Sequence, residues 1–151
     1  MASTSEGGYA GRVIVAAAVL LVTRGEHMTG SEILVVDDDA DIRSALTQAL
    51  EFEGYRVASA ANGREAWDSL RSAPAPALIL LDLMMPVMNG AEFLDLLRRD
   101  EQLRAVPVVV VTAFGSAVAP IAAEAQGVLS KPLDLEQLIG VASRFCPPRR
   151  S

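Results

Sequence analysis

Three unbroken apolar runs have the composition of buried strands. They are the ILVV of residues 33–36, the ALILL of residues 77–81 and the VPVVVV of residues 106–111. Because such runs lack an alternation of polar and apolar positions, each predicts a strand that is covered on both sides, as in a parallel sheet between helices. Two weaker runs, residues 56–60 and 128–130, predict two further strands.

Segments with a helical spacing of apolar residues alternate with these strands. The first follows Asp39 and Asp41, either of which can cap it, and ends at Gly54. Its apolar positions are Ile42, Ala45, Leu46, Ala49 and Leu50. Further helices are predicted over residues 65–71, from residue 93 to about 99, over residues 116–126 and, after an Asp134 cap, over residues 135–145.

Five successive strand and helix units with right-handed crossovers predict an α/β fold. The expected architecture is a doubly wound, five-stranded parallel sheet with strand order 2-1-3-4-5, which is the flavodoxin-like arrangement. Ligands of such sheets bind in the crevice at the carboxyl ends of the strands. The residues that follow each strand are therefore the first candidates for function.

Residues 1–30 precede this regular pattern. We expect an N-terminal extension that is disordered or arises from a mis-assigned start, since Met28 stands just ahead of the first strand. Its apolar run, residues 13–22, is shorter than the about 20 residues of a membrane span. The run has the length of a signal-peptide core, but no convincing cleavage site follows it. A short extra helix or strand lying on the domain is the third possibility.

Composition limits the remaining organisation. The 151 residues, 51% of them hydrophobic, suffice for one domain with a sizeable core, which we place at residues 31–146 with a short tail at 147–151. The net charge of -6 would repel phosphate backbones, so no direct binding of nucleic acid is expected. The single cysteine, Cys146, excludes an internal disulfide, and the single histidine, His27, lies outside the motif region.

Polar or charged side chains stand at the ends of four of the predicted strands. Asp37 and Asp38 follow the first strand, Asp82 the third, Thr112 the fourth and Lys131 the fifth, so all five converge at one edge. Three neighbouring carboxylates require a cation, and hard oxygen ligands with room for water suit Mg²⁺ or Mn²⁺. A carboxylate can be the nucleophile of phosphoryl transfer, with a hydroxyl and an ammonium holding the transferred oxygens. Asp82 is the candidate nucleophile.

Four motifs, VVDDD, LLDLMMPVMNG, VVVVTA and SKP, occur in the order and context found in receiver domains of bacterial two-component response regulators. From Glu32 to Phe145 the chain resembles this family, the chemotaxis-regulator-like receivers included. The resemblance implies a receiver fold with Asp82 as the phosphoacceptor. The metal ligands that it implies are Asp38 directly, Asp37 partly through water, Asp82 and the backbone carbonyl of Met84.

The resemblance assigns two further roles and a set of partners. Thr112 and Lys131 correspond to the residues that bind the phosphoryl oxygens, and Pro132 would form a cis bond that aims the lysine. A histidine kinase or histidine phosphotransfer protein would donate the phosphoryl group, with only self-catalysed acceptance and slow self-dephosphorylation. Since the chain ends soon after the last predicted helix, we expect a stand-alone cytoplasmic receiver, monomeric or weakly dimeric, that signals through a separate protein and does not bind membranes.

Several positions depart from the family pattern or tune it. Three residues before the lysine, where most receivers carry Tyr or Phe, this chain has Val128, and the interval from Thr112 to Lys131 is a few residues short. Both features would alter the usual output surface. Met84 and Phe114 stand two residues after the phosphoacceptor and the threonine, where bulky apolar side chains predict slow self-dephosphorylation. Ala113 would leave the phosphoryl group reachable by a partner.

Two alternatives stay open at this stage. A phosphohydrolase of the haloacid dehalogenase type would read Asp37 and Asp39 as its paired aspartates, but it leaves Asp82 unexplained and lacks a later acidic pair. A pseudo-receiver that binds its partner without phosphate is favoured only by Val128. The basic residues Arg98, Arg99 and Arg104 are interpreted as a solvated helix end.

Overall fold

The computed structural model of the protein describes residues 32–113, 121 and 123–146. The strands of this part are β1 (Ile33–Val36), β2 (Val57–Ala60), β3 (Leu78–Leu81), β4 (Val108–Thr112) and β5 (Gly127–Ser130). The helices with defined bounds are α1 (Ala40–Phe52), α2 (Gly63–Ser72), α3 (Gly90–Arg99) and α4 (Leu135–Phe145). Strands and helices therefore alternate as the hydrophobic pattern predicted, except between β4 and β5, where most residues lie outside the described part.

The five strands form one sheet in which every neighbouring pair is parallel. Their order is β2-β1-β3-β4-β5, which confirms the predicted doubly wound topology. In register, Val36 lies beside Ala60 on one side and Leu81 on the other, so the strands end at nearly the same level. The residues that follow β1 and β3 are thereby placed next to each other.

Each face of the sheet carries its own apolar core. Within β1, Ile33 and Val35 pack on the face covered by α1 and α4, whereas Leu34 and Val36 pack on the face covered by α2 and α3. All four residues of β1 are buried, as are the four of β3. Burial on both faces explains why these strands show no polar alternation in the sequence.

Local side chains fix where the helices begin. Asp39 caps α1 by accepting from the N–H groups of Asp41 and Ile42, and Asp134 caps α4 by accepting from the N–H of Glu136. Asn62 and Asn89 cap α2 and α3, and Asn89 forms a reciprocal capping box with Glu92. Because Asn62 is the cap, α2 begins two residues earlier than the apolar spacing predicted.

Two expectations need correction. Most of the helix predicted over residues 116–126 lies outside the described residues, but residues 123–126 are turn and bend and not helix. Arg98 is not a solvated helix end. Its guanidinium donates to the carbonyl oxygens of Arg104 (2.8 Å), Val106 (3.2 Å) and Glu124 (3.0 Å) and to Oε1 of Gln126 (3.3 Å), and burial lowers its pKa. Arg98 therefore joins the end of α3 to the segments that lead into β4 and β5.

Candidate functional site

Three carboxylates meet at the carboxyl edge of the sheet. Each of Asp37, Asp38 and Asp82 offers a carboxylate oxygen, and these oxygens all lie within 4.8 Å of one another. Asp37 and Asp82 are only 1% and 4% exposed, whereas Asp38 is open to solvent. The site is thus a cluster with two buried walls and one open side, and the structure brings together the three aspartates that the sequence singled out.

Backbone hydrogen bonds extend beyond the strands to hold this arrangement. The N–H of Asp82 donates to the carbonyl of Val36 at 2.9 Å, and the N–H of Asp37 donates to the carbonyl of Ala60 at 3.1 Å. Each aspartate therefore continues the ladder of its strand by one residue. Since the ladder is rigid, the Asp37 and Asp82 side chains leave neighbouring strands at the same edge.

Lys131, the residue that follows β5, lies in the same cluster. Its Nζ lies 2.9 Å from Oδ2 of Asp37 and 3.7 Å from Oδ1 of Asp82. The N–H of Lys131 donates to the carbonyl of Thr112 at 2.9 Å, and the Lys131–Pro132 peptide bond is cis, as expected. Thr112 is buried at the end of β4. The backbone thereby holds the predicted hydroxyl and ammonium residues side by side.

The electrostatics of the cluster follow from burial and from like charges. Burial, then the charge of Asp37, raises the pKa of Asp82 to about 6, while Lys131 and the N–H of Met84 act in the opposite direction and Asp38 adds a small increase. For Lys131, burial lowers the pKa, but the hydrogen bond and charge of Asp37 and the charges of Asp82 and Asp38 outweigh it and leave the pKa raised. Lys131 therefore stays an ammonium between two carboxylates.

The donor set fits a hard divalent cation. An octahedral Mg²⁺ shell with ligands at about 2.0–2.1 Å places ligand oxygens about 3–4 Å apart, close to the spread of the three carboxylates. The three carboxylates face the single ammonium of Lys131, which leaves room for a further positive charge, and Asp38 leaves an open side for water ligands. Asp37, Asp38 and Asp82 are the residues that could hold such an ion.

Other predicted positions surround the cluster without joining it. Met84 donates its N–H to Oδ1 of Asp82 at 3.3 Å, and the residue is 61% exposed. Ala113 is exposed, and Phe114 lies outside the described residues. Val128 is 38% exposed on β5 and has no aromatic ring to move between a buried and an exposed position.

Two glycines, Gly63 of α2 and Gly90 of α3, pack so closely against the β3–α3 loop, residues 82–89, that neither position has room for a Cβ. A Cβ at Gly90 would lie 2.5 Å from the carbonyl oxygen of Asp82, and one at Gly63 would lie 2.7 Å from that of Met88. The N–H of Gly90 donates to Leu83, and that of Gly63 donates to Met88. The motif glycine Gly90 is thus required by the backbone that carries Asp82.

Sequence reasoning missed one contact at the site. The guanidinium of Arg43, in the first turn of α1, donates from Nη1 to the carbonyl oxygen of Asp37 at 2.7 Å. The N–H of Asp39 also donates to Oδ1 of Asp37, at 2.9 Å. The six-residue interval from Asp37 to Arg43 was visible in the sequence, but nothing in it distinguished this arginine from a solvated helical residue.

The chain belongs to the response regulator receiver domains, because it matches the model of that family over residues 33–143. It is 40% identical over 110 residues to the response regulator Rre1 of Synechocystis, an alignment that covers 70% of this chain and 47% of Rre1. Receiver domains are signalling modules of two-component systems that bind Mg²⁺ at an aspartate cluster and that partner with histidine kinases or phosphotransfer proteins. They are not classical enzymes.

Solved structures support the same family assignment. The chemotaxis protein CheY4 of Vibrio cholerae superimposes with a TM-score of 0.69 at 32% identity, over 78% of this chain and 99% of that protein. The response regulator TrrA of Thermotoga maritima, solved in complex with Mg²⁺-BeF, gives a TM-score of 0.67 at 29% identity, over 75% and 96% of the two chains. The chain spans about half the length of Rre1, and several curated relatives are named as transcriptional regulators.

Proposed function

We propose that the protein accepts a phosphoryl group on Asp82 from the phosphohistidine of a histidine kinase or phosphotransfer protein, in a Mg²⁺-dependent phosphorelay. The observation that supports this most directly is the cluster itself. Asp82 shares one small, mostly buried site with Asp37 and Asp38, and the ammonium of Lys131 lies 3.7 Å from its Oδ1. The likeness to TrrA, a protein solved with Mg²⁺-BeF, points to the same chemistry.

The groups present account for the bond that forms and the bond that breaks in the transfer step. An Asp82 carboxylate oxygen forms the new bond to phosphorus, and the bond between phosphorus and the histidine nitrogen breaks, with its electron pair staying on the imidazole. With a pKa of about 6, Asp82 is mainly ionised at neutral pH and has the lone pair for attack. Lys131 lies close enough to Asp82 to reach an oxygen of the transferred group.

The remaining groups complete the site. Thr112, buried at the end of β4 and joined to Lys131 through its carbonyl, is proposed to donate its hydroxyl to a second phosphoryl oxygen. Asp37, Asp38, Asp82 and the Met84 carbonyl would hold the cation. When bound, a divalent ion supplies positive charge that offsets the carboxylates and the incoming phosphoryl group.

The test is an intact-mass measurement after incubation of the full chain with acetyl phosphate and Mg²⁺. We expect a gain of one phosphoryl group that is lost in Asp82→Asn and in the presence of EDTA. Asp39→Asn is the matched control, because it also removes one carboxylate next to the cluster but keeps a side chain that caps α1. It should be phosphorylated like the wild type.

Other outcomes would favour the alternatives. Turnover of phosphoesters without a stable adduct would indicate the phosphohydrolase, but that reading needs Asp39 in the site, and the Asp39 carboxylate instead accepts from the N–H groups of Asp41 and Ile42. Absence of an adduct in Mg²⁺ would favour a phosphorylation-independent pseudo-receiver. The replacement of the usual aromatic residue by Val128 is the feature of this chain that favours it.

The organisation of the protein around this site stays a prediction. We propose residues 31–146 as the receiver domain, 1–30 as an extension and 147–151 as a tail, and we propose a cytoplasmic, monomeric or weakly dimeric protein that acts on a separate partner. The match covers 99% of CheY4 and 47% of Rre1, so the relatives include both a protein that is little more than a receiver and a longer regulator. Among the described helices, none is long and apolar enough to cross a membrane.

A further inference from the structure

Asp37 is the most firmly held residue of the cluster. Its N–H donates to Ala60, its Oδ1 accepts from the N–H of Asp39, and its Oδ2 lies 2.9 Å from Lys131 Nζ. Its carbonyl oxygen accepts from Nη1 of Arg43 at 2.7 Å, the shortest of these contacts. Arg43 is therefore attached to the main chain of the cluster and not to a carboxylate.

That carbonyl belongs to the peptide group that joins Asp37 to Asp38. A hydrogen bond to it fixes the plane of the peptide, and the plane determines the direction in which the Asp38 side chain leaves the backbone. Asp38 needs such support, because its carboxylate is exposed and makes no hydrogen bond within the part of the chain that the structure describes. Asp38 is thus the carboxylate of the cluster that burial does not hold, and the bond from Arg43 fixes the peptide group that precedes it.

The position of Arg43 is unfavourable for the helix alone. It is the fourth residue of α1, and a cation in the first turn opposes the helix dipole by about 0.3–1 kcal/mol. The helix also does not need Arg43 as a cap, because Asp39 already accepts from two N–H groups. The bond to Asp37 is the compensating interaction.

The effect of Arg43 on the cluster is geometric. The groups that shift the pKa of Asp82 are Asp37, Lys131, the Met84 N–H and Asp38, besides burial, and Arg43 is not among them. A purely electrostatic arginine would repel a divalent cation, so its removal would tighten metal binding. A positioning arginine has the opposite effect, because its removal lets the Asp37–Asp38 peptide turn and lowers the affinity.

We propose that Arg43 is a positioning residue of the divalent-cation site, holding the Asp37–Asp38 peptide so that both carboxylates face Asp82. This inference rests on the proposed function, since it assigns the cluster to a cation. Groups that orient the ligands of a metal commonly contribute about 10–100-fold to affinity. Because Arg43 bonds the backbone and not a ligand atom, we expect the lower end of that range.

The experiment is a calorimetric titration of the full 151-residue chain with Mn²⁺. Arg43→Met should bind Mn²⁺ about 10-fold more weakly than the wild type. Arg43→Lys, which keeps a long donor, should recover most of the affinity. Arg64→Met is the matched control, since it removes an exposed cation from the first turn of α2, where Arg64 pairs with Asp68, and it should not change Mn²⁺ binding.

Phosphorylation by acetyl phosphate supplies a second readout. In Arg43→Met the Mn²⁺ concentration for half-maximal rate should rise, whereas the rate at saturating Mn²⁺ should stay close to that of the wild type. A merely structural defect would instead lower the rate at every concentration. Should Arg43→Met fail to fold, Arg43→Gln, which is too short to reach the carbonyl, should show the same loss of affinity.

Mn²⁺ binding by Arg43→Met or Arg43→Gln that is equal to or tighter than that of the wild type would overturn the proposal. Failure of the proposed role of Arg43 can be distinguished from failure of the proposed function. Wild-type protein that binds Mn²⁺ but takes no phosphoryl group on Asp82 would overturn the proposed function, and the titrations would still decide the role of Arg43. Wild-type protein that binds no Mn²⁺ would overturn the assignment of the cluster and the role of Arg43 together.

Discussion

Val87 has a backbone conformation that valine rarely adopts. With φ of 69°, it is the one non-glycine residue with positive φ among those that the structure describes, and its side chain is 80% exposed. The N–H of Met88 donates to the carbonyl of Pro86 across it, at 2.7 Å, as in a γ-turn. A β-branched side chain in the left-handed region costs about 1–2 kcal/mol, and here no buried contact offsets that cost.

We expect Val87→Gly to raise the free energy of unfolding by about 0.5–1 kcal/mol, which is the strain relieved less the extra chain entropy of glycine. Urea unfolding measures this change in the free energy of unfolding. Val128→Gly removes the same atoms from a strand residue with no positive φ, and it should destabilise the protein. Equal destabilisation by both changes would show that Val87 is not strained.

Met84 bears on the lifetime of the phosphorylated state. Met84 is exposed two residues after the phosphoacceptor, its N–H bonds Asp82, and its apolar side chain offers no hydrogen-bond partner to an attacking water. We expect slow self-dephosphorylation in the wild type and a decay several-fold faster in Met84→Asn, measured on phosphate-affinity gels after acetyl phosphate is removed. Met84→Leu is the control and should decay like the wild type. Rapid wild-type decay that Met84→Asn does not change would contradict the prediction.

The packing of the β3–α3 connection acts directly on Asp82. A Cβ at Gly90 would meet the Asp82 carbonyl at 2.5 Å and the Leu83 Cα at 2.7 Å, both backbone atoms that cannot rotate away. Gly90→Ala should therefore destabilise the protein by about 1–3 kcal/mol and also reduce phosphorylation, because the backbone of the phosphoacceptor must shift.

Gly140 gives the matched comparison. It is an exposed glycine inside α4, and a Cβ there would meet nothing within 4 Å. Gly140→Ala should raise stability by about 0.5–1 kcal/mol and leave phosphorylation unchanged. Thermal unfolding and the intact-mass assay measure the two effects. Similar behaviour of both alanine variants would show that the β3–α3 loop adapts without strain.

The elements differ in how far the sequence predicted them. The bounds of β1 and the order of all five strands followed from unbroken apolar runs and crossover handedness, because burial on both faces leaves a local trace. The bonds of Arg98 and Arg43 were not predicted. Each joins a helix to backbone carbonyls of other segments, and such contacts depend on the assembled fold and on no local pattern.

The residues of the site also differ in how far the sequence predicted them. Asp37, Asp38, Asp82, Thr112 and Lys131 were predictable, because parallel strands deliver their carboxyl ends to one edge. The left-handed Val87 was not, since its conformation belongs to the tight turn from Pro86 to Met88, and no local pattern marks a valine for positive φ. The output surface also stays a prediction, because it depends on Val128 and on residues between Thr112 and Lys131 that extend outside the described part.

In the protein as a whole, the acidic cluster links folding stability to pH and to divalent cations. The pKa of Asp82 is about 6 in the folded protein, against an ordinary value of 3.8. The folded state therefore holds a proton on Asp82 more tightly than the unfolded state, and this stabilising contribution is present at low pH and is lost as the pH rises through about 6. Above that pH, without a cation, ionised Asp82 destabilises the fold.

In EDTA at pH 7.5 we thus expect Asp82→Asn to unfold with a free energy about 3 kcal/mol higher than the wild type. The difference should shrink as the pH falls from 6 towards 4, since the wild-type carboxyl is then protonated in the folded state. Adding Mg²⁺ at pH 7.5 should raise the melting temperature of the wild type more than that of Asp82→Asn, because the variant has lost one ligand and one charge. A wild-type protein whose stability in EDTA rises from pH 5 to pH 7.5 relative to Asp82→Asn would have the opposite linkage, and the pKa of Asp82 would then not be raised by folding.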